Sequence, residues 1–410
     1  MSVLKHSVLL LALWTGIIAY YMYHPLPDDL EEPWKVRLLL AGLKFTGHIA
    51  FASSKLGIAT EHETMRWILN TAYVAGMKID DPDLNIKTTE IEGVRVRIYE
   101  PVKGSAYGPA IVYFHGGGWT IMSIDTHDEF TRELARRTQF TVISVDYRLA
   151  PEHPFPAPFD DCFAVTRHLL EFGSQFKIDP SKIVVMGDDA GGNLAAAVAQ
   201  KFMRTPRGLP SLRLQVLLTP MLQAFDFRLP SYARNERRPV GASTRGVARA
   251  WLGYMRKDPA IAWFFARNNH TSRYLKTTYS YLVDFAILPP AHRRDYARDR
   301  VGIVDAGDET LSDAMQNFVL HPYFAPLMQK TLKGLPPAYV VAAGYDVVAD
   351  DAVIYARRLR KDGVVTTLKY YERGFHQDVL RFGNFAAGAR TFNDLIAFLK
   401  QMFEMKTEKS

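Results

Sequence analysis

The sequence predicts an α/β fold in which a mostly parallel sheet is covered by helices on both faces. Two observations carry that expectation. Short apolar runs rich in β-branched residues alternate with longer stretches of helical period, from about residue 110 to 218 and again from 338 onward. The run at 183–188 then ends in Gly187-Asp188-Asp189-Ala190-Gly191 and passes at once into a helix-forming segment, so a sharp turn lifts one side chain above the carboxyl edge of the sheet.

Composition sets the outer bounds. With 410 residues, 48% of them hydrophobic and 12% aromatic, the chain can bury a large core, as one enlarged domain or a domain with an inserted cap. The net charge of +7 is scattered. Arg237 and Arg238, then Arg293, Arg294, Arg298 and Arg300, interleave with Glu236, Asp295 and Asp299, the pattern of a solvated face, and no run of like charge forms a nucleic-acid-binding arm. Cys162 is the single cysteine, which excludes an internal disulfide.

Residues 7–23, SVLLLALWTGIIAYYMY, form an uncharged and predominantly apolar stretch of 17 residues, near the lower limit for a spanning helix. Lys5 precedes it, and Asp28, Asp29, Glu31 and Glu32 follow. The basic flank belongs on the cytosolic side, so residues 1–24 read as an uncleaved signal anchor with the rest of the chain across the membrane. The bulky run Tyr20, Tyr21, Met22 and Tyr23 leaves no small-residue cleavage site. Asn269-His-Thr is an acceptor sequon that in a lumenal domain could carry a glycan.

Residues 33–76 read as helical covering material and, with the first strands, make up a region at 25–105. His62-Glu63 begins a zinc-binding pattern, but Arg66 stands where the second histidine would be needed, so no metal site follows. From residue 91 the period changes to two, with Val94, Val96 and Ile98 alternating against Arg95, Arg97 and Tyr99. A core at 106–222 follows. It holds a buried strand at 110–114, a helix at 128–137, strands at 140–146 and 182–187, a rigid proline-rich connection, helices at 160–172 and 192–204, and a strand at 212–218. Alternation breaks at 223–333, which reads as an inserted cap. It returns at 334–410, with strands at 338–343 and 364–371 and helices at 350–361 and 391–403.

The candidate site residues come from loops after these strands, where an open parallel sheet gathers its chemistry. Asp189 occupies the turn that would present a nucleophile. Asp346 in Gly344-Tyr345-Asp346 and His376 in Gly374-Phe375-His376 follow in the chain order nucleophile, acid, histidine. Asp346 would hold the imidazole in its tautomer, and His376 would move protons. His115-Gly116-Gly117-Gly118-Trp119 lets backbone approach a ligand closely, so the amides of Gly116, Gly117 and Ala190 would receive a developing oxyanion. Neighbouring residues have plainer readings: Asp188 is structural, His115 fixes the glycine loop, His153 packs or hydrogen-bonds, and Asp350 and Asp351 cap the helix they open.

HGGGW, YRLAPEHPFPAP, GDDAGGN, YDVVADD and GFH resemble the hormone-sensitive-lipase branch of the α/β-hydrolases. The apolar N-terminus followed by YHPLPDDLEEPW resembles the arylacetamide deacetylase and neutral cholesterol ester hydrolase type within it. The resemblance covers nearly the whole chain. It implies an α/β-hydrolase fold with a helical cap and an N-terminal transmembrane anchor, in a single-pass type II protein of the endoplasmic reticulum membrane with a lumenal hydrolase domain. It further implies hydrolysis of lipophilic esters or amides, with lipid membrane as a partner and with no metal or cofactor. At residue 189 the sequence departs, for the family has serine there. A carboxylate attacking an ester would form a mixed anhydride while expelling a poor alkoxide, and losing the serine of such a triad costs roughly 10⁶ in turnover, or about 8 kcal/mol. Three readings stay open: a family-type ester hydrolase scaffold altered or compensated at Asp189, a non-catalytic lipid- or ester-binding relative, and a hydrolase that uses Asp189 as its nucleophile.

Overall fold

The computed structural model describes residues 2–74, 80–104, 107–204, 208–237, 240–293 and 307–404. Three helices come first, α1 (Ser2–Met22), α2 (Pro33–Lys55) and α3 (Glu61–Val74). The expected continuous helix at 33–76 is divided at residues 56–60. There Gly57 turns the chain at φ +70°, and Thr60 and Glu63 cap α3 reciprocally, with the Thr60 amide 2.8 Å from Glu63 Oε2 and the Glu63 amide 3.3 Å from Thr60 Oγ1. α1 covers the apolar N-terminal stretch and packs Tyr20 and Tyr21 on His48 and Phe45 of α2. Among the described residues no helix is long and apolar enough to cross a membrane. The spanning segment expected at residues 1–24 is thus not confirmed by the helix found there, whose uncharged stretch of 17 residues sits at the lower end of what a span needs.

A hairpin follows, β1 (Leu84–Ile91) and β2 (Val94–Pro101), turned through Glu92 and Gly93 at φ 54° and 74°. The alternating core comprises β3 (Gly108–Phe114), α4 (Asp128–Thr138), β4 (Thr141–Val145), α5 (Ala157–Phe172), β5 (Ile178–Asp188), α6 (Ala190–Met203) and β6 (Leu214–Leu218). The break in alternation is helical: α7 (Pro230–Asn235), α8 (Thr244–Tyr254), α9 (Ala262–Ala266), α10 (Arg273–Tyr279), α11 (Pro290–Arg293) and α12 (Glu309–Val319), with no strand among the described residues of 223–333. Then β7 (Ala338–Ala343), α13 (Ala349–Lys361), β8 (Thr366–Tyr371) and α14 (Ala386–Glu404) complete the sheet and its cover. Of the charged cluster noted in the sequence, Arg238, Arg294, Asp295, Arg298, Asp299 and Arg300 lie outside the described residues.

The eight strands run in the order β1-β2-β4-β3-β5-β6-β7-β8. β2 is antiparallel to both β1 and β4, and every later pairing is parallel. The inner strands read as continuous apolar runs because both of their faces are covered. Val112, Phe114 and Val185 enter one core cluster, and Ile111, Tyr113, Val184 and Met186 enter the other. The cap is joined to the core by aromatic packing, with Trp119 stacked on Tyr254 at 4.3 Å and in contact with Trp251 at 4.5 Å. Asp350 and Asp351 serve this same joint and do not cap their own helix: Asp350 accepts from the Ser231 amide, and Asp351 from the Leu222 amide and Gln223 Nε2. Both are buried where the cap leaves the sheet, a place that spacing alone does not reveal.

Candidate active site

The turn between β5 and α6 is built by close backbone approach. A Cβ on Gly191 would strike Phe114 O, and one on Gly187 would strike Gly191 O, so the glycines let strand and helix meet at short range. Between them stands Asp189, at φ 51° and ψ −117°. A side-chain-bearing residue held in that region stores about 1–3 kcal/mol of strain. The turn lifts the Asp189 carboxylate off the sheet into a cavity while leaving it only 5% exposed.

The glycine loop after β3 comes to meet this carboxylate. The amides of Gly117 and Gly118 donate to Asp189 Oδ2 at 3.0 and 2.9 Å, the separation at which such donors stabilise a developing oxyanion. Gly117 therefore lies where the sequence places it, and Gly118 is an amide the sequence reading missed. The expectation for Gly116 is not met, because its amide donates to Asp188 Oδ1 at 3.0 Å and points behind the elbow. Three consecutive glycines leave open which amides turn inward, and the choice follows from φ of 108° and 57° at Gly117 and Gly118. Ala190 is buried at the first position of α6, next to Asp189.

Asp188 holds the loop from behind. It is fully buried and accepts from the Tyr113 hydroxyl, the Gly116 amide and Gln377 Nε2, with His127 Nε2 3.5 Å away. Burial alone would raise its pKa, but His127, Tyr113 and Gln377 outweigh burial and hold it below the ordinary carboxylate value. His115 fixes the loop as expected. Its ring is stacked on Tyr147 at 4.3 Å, Nδ1–H donates to Gly116 O, and burial followed by His127 lowers its pKa to about 3, so it is neutral. His153 is exposed, which sets aside packing, the first of the two roles expected of it.

From the far side of the sheet, Asp346 and His376 arrive on the loops after β7 and β8. His376 Nδ1 is 2.8 Å from Asp346 Oδ2, and its Nε2 is 3.4 Å from Asp189 Oδ1. Asp346 is fully buried and accepts the Val348 amide on its other oxygen at 3.0 Å. Burial disfavours charge on His376, yet Asp346 and Asp189 overcome it and raise its pKa well above the usual imidazole value. His376 therefore bridges the two side chains, with Nδ1 toward Asp346 and Nε2 toward Asp189. All three residues predicted from chain order meet in one place.

A cavity of about 480 Å³ opens above them, lined by Leu39, Leu43 and Phe51 of α2, Met65 of α3, and Met221 and Val247 on the core and cap side. Its size and apolar lining suit a lipophilic small molecule. α3 is locked to the glycine loop by Arg66, which donates to Thr120 O and Ala150 O, both at 2.7 Å, and pairs with Glu152. Neither Arg66 nor Gln377 carried a sequence signal beyond its residue type, since each acts across a long separation in the chain.

The sequence signature of the alpha/beta hydrolase fold matches residues 111–299 and 292–380. Neutral cholesterol ester hydrolase 1 of Rattus norvegicus is 30% identical over 97% of this chain and 100% of its own length. Arylacetamide deacetylase of Bos taurus is 33% identical over 94% of this chain and 96% of its own. Among solved structures, the hyperthermophilic esterase of the archaeon Pyrobaculum calidifontis is similar with a TM-score of 0.59 at 27% identity, covering 83% of this chain and 93% of that one.

Proposed function

The chain belongs to the α/β-hydrolase fold family, to its esterase and lipase type, and we propose that within it the protein is a carboxylic-ester hydrolase scaffold whose nucleophile position is closed by Asp189. It takes up lipophilic esters or arylacetamides and turns them over poorly. One observation carries this reading: Asp189 Oδ2 lies on the Gly117 and Gly118 amides while Oδ1 faces His376, so the carboxylate fills the place a tetrahedral oxyanion would take. The Ala190 amide, one residue on, is assigned as a further donor at that place. In serine-type transfer the hydroxyl gives its proton to histidine and adds to the acyl carbon. Asp189 has no proton to give, and its attack on an ester would have to expel an alkoxide from an anhydride-forming intermediate. The experiment is to incubate the protein with a lipophilic acyl ester and measure both saturable binding and released acid. Binding with the ester recovered intact is expected, and robust hydrolysis that Asp189→Ala abolishes would sink the reading.

The same geometry favours a second reading on one point. An Asp189 oxygen could attack a saturated carbon of an epoxide, breaking its C–O bond and sending that electron pair to the leaving oxygen. Water giving a proton to His376 would then add to Asp189 Cγ, with the oxyanion on the Gly117 and Gly118 amides, and collapse of that adduct would break the ester C–O bond, the departing alkoxide taking the proton back from His376 to leave as the alcohol. That first step needs an acid for the leaving oxygen. Among the described residues no tyrosine or tryptophan lines the cavity, so the binding reading stands ahead of it.

We further assign residues 1–24 to membrane attachment in a type II sense at the endoplasmic reticulum, with the hydrolase domain lumenal. The charge asymmetry of Lys5 against Asp28, Asp29, Glu31 and Glu32 supports that orientation. In sealed microsomes the folded domain should resist added protease and a glycan on Asn269 should vanish in Asn269→Gln; cleavage of the intact domain would reverse the assignment.

A further inference from the structure

α2 is apolar on two opposite sides, yet it is not buried. Its inner side contributes Val36, Leu40 and Ala50 to the interior, and Leu39 and Leu43 to the cavity. Its outer side exposes Trp34 at 59%, Leu38 at 53%, Phe45 at 53% and Phe51 at 52%, and the turn to α3 exposes Leu56 at 74% and Ile58 at 73%. Between Leu38 and Ser54 no exposed residue is charged. Lys44, the one charged residue of that run, lies with its Nζ over the Tyr20 ring at 3.5 Å and donates to Tyr20 O. In water such a surface is unfavourable at roughly 25 cal/mol for each Å² of apolar area, and contiguous exposed patches of this kind mark an interaction face.

Charge selects the occupant. From residue 33 to residue 60 the chain carries Lys35, Arg37, Lys44 and Lys55 and no acidic residue. Apolar side chains with aromatic rings at the edge and Arg37, Lys44 and Lys55 along the helix complement the head groups and upper acyl chains of an anionic phospholipid leaflet, while the acidic residues lie at its ends, Glu32 paired with Lys35 and Glu63 capping α3. The face is continuous with α1, which packs on α2 at Phe45 and His48. Gly47 and Phe51 are both exposed on this face and part of the cavity lining, so the mouth of the cavity opens at the same surface.

We infer that the outer face of α2 and the α2–α3 turn is a membrane-binding surface seated in an anionic phospholipid leaflet, and that lipophilic ligands reach the Asp189 cavity from that leaflet past Gly47 and Phe51. The inference rests on the membrane attachment and lipophilic ligand class given above. It divides the work of membrane binding between α1, which attaches the N-terminus, and α2, which lies along the surface. Ligands of low water solubility then exchange between leaflet and cavity without crossing water.

Cysteine reporters test this in the full-length protein, because the native Cys162 is buried and does not compete for label. Ile49→Cys and Leu56→Cys place an environment-sensitive fluorophore on the proposed face. Val365→Cys, on a residue 75% exposed just before β8, at the end of that strand away from the Phe375 loop on which α2 packs, is the control. On phosphatidylcholine–phosphatidylserine vesicles, the first two reporters should shift to shorter wavelength and be quenched several-fold more strongly than the control by lipids brominated on their acyl chains. Leu38→Glu with Ile49→Glu should return the Leu56 reporter to the control value while α1 still holds the protein on the vesicles. A protein that floats with vesicles while its Ile49 and Leu56 reporters remain water-like overturns the inference and leaves attachment by α1 standing. Failure to float overturns both. Protection of the reporters without lipid, rising with protein concentration, would assign the face to a second copy of the chain and overturn the inference. None of these readouts depends on turnover, so the account of Asp189 stands or falls separately.

Discussion

The two sides of the β5–α6 elbow carry the same residue type and do opposite things. Behind it, Asp188 is sealed from solvent and gathers Tyr113, Gly116, Gln377 and His127 into a frame that sets the glycine loop. In front, Asp189 faces a cavity, accepts from the Gly117 and Gly118 amides and faces His376. The difference lies in what each side chain is aimed at. A carboxylate that satisfies a permanent donor set stabilises the fold, whereas on the proposed reading the other fills the place an oxyanion would take.

The comparison predicts a set of separable effects. The largest is on activity: Asp189→Ser should raise kcat/KM for a short acyl nitrophenyl ester by several orders of magnitude, approaching the roughly 10⁶ that a triad nucleophile contributes. On stability the two neighbours should part in the other direction. Asp188→Ala strands three buried donors and should cost about 3 kcal/mol or more in denaturant unfolding, whereas Asp189→Gly relieves the φ 51° backbone and should stay within about 1 kcal/mol of the parent. Equal losses at both positions would break the distinction between frame and site.

A third carboxylate sharpens it through pH. Asp378, two residues past His376, is buried, and that burial raises its pKa to about 7 against the Phe375 amide bond that opposes it. A raised folded-state pKa means that the contribution is complete below the unfolded value of 3.8 and is lost as pH rises through about 7. Asp378→Asn should flatten the unfolding midpoint over that window. The smallest effect concerns His376, whose raised pKa depends on burial being outweighed by Asp346 and then Asp189. Its stabilisation is present below the ordinary imidazole value and lost only as pH climbs through the raised one. In Asp189→Ser one of the two carboxylates is gone, so the imidazole resonances should titrate at lower pH than in the parent.

Much of this was legible in the sequence where chemistry has a fixed chain order or a local period. Asp189, Asp346 and His376 each follow a strand of the parallel sheet, and the alternation of β-branched runs with helical stretches placed those strands. β1 was not legible. Its LNIKTTEI is polar and exposed at Asn85, Lys87, Thr88 and Glu90 without strict alternation, as suits an edge strand that pairs with β2 alone. The break between α2 and α3 depends on Gly57 and on a reciprocal Thr60–Glu63 cap inside an otherwise helical pattern. Gly118 could not be separated from Gly116, because Asp188 claims one of the three glycine amides only once the strands are side by side. Asp350 and Asp351 carry the composition of a helix start but are used to tie down the cap. Arg66 and Gln377 act through contacts that exist only in three dimensions.

The central claim is that everything around Asp189 is set for acyl transfer and that its carboxylate alone stands in the way. The most direct measurement is covalent labelling by a fluorophosphonate, read by intact mass, in the parent and in Asp189→Ser. The account predicts no adduct on the parent and one phosphonyl group on residue 189 of the variant. A parent labelled as fast as the variant, or a folded variant that takes no label, would contradict it.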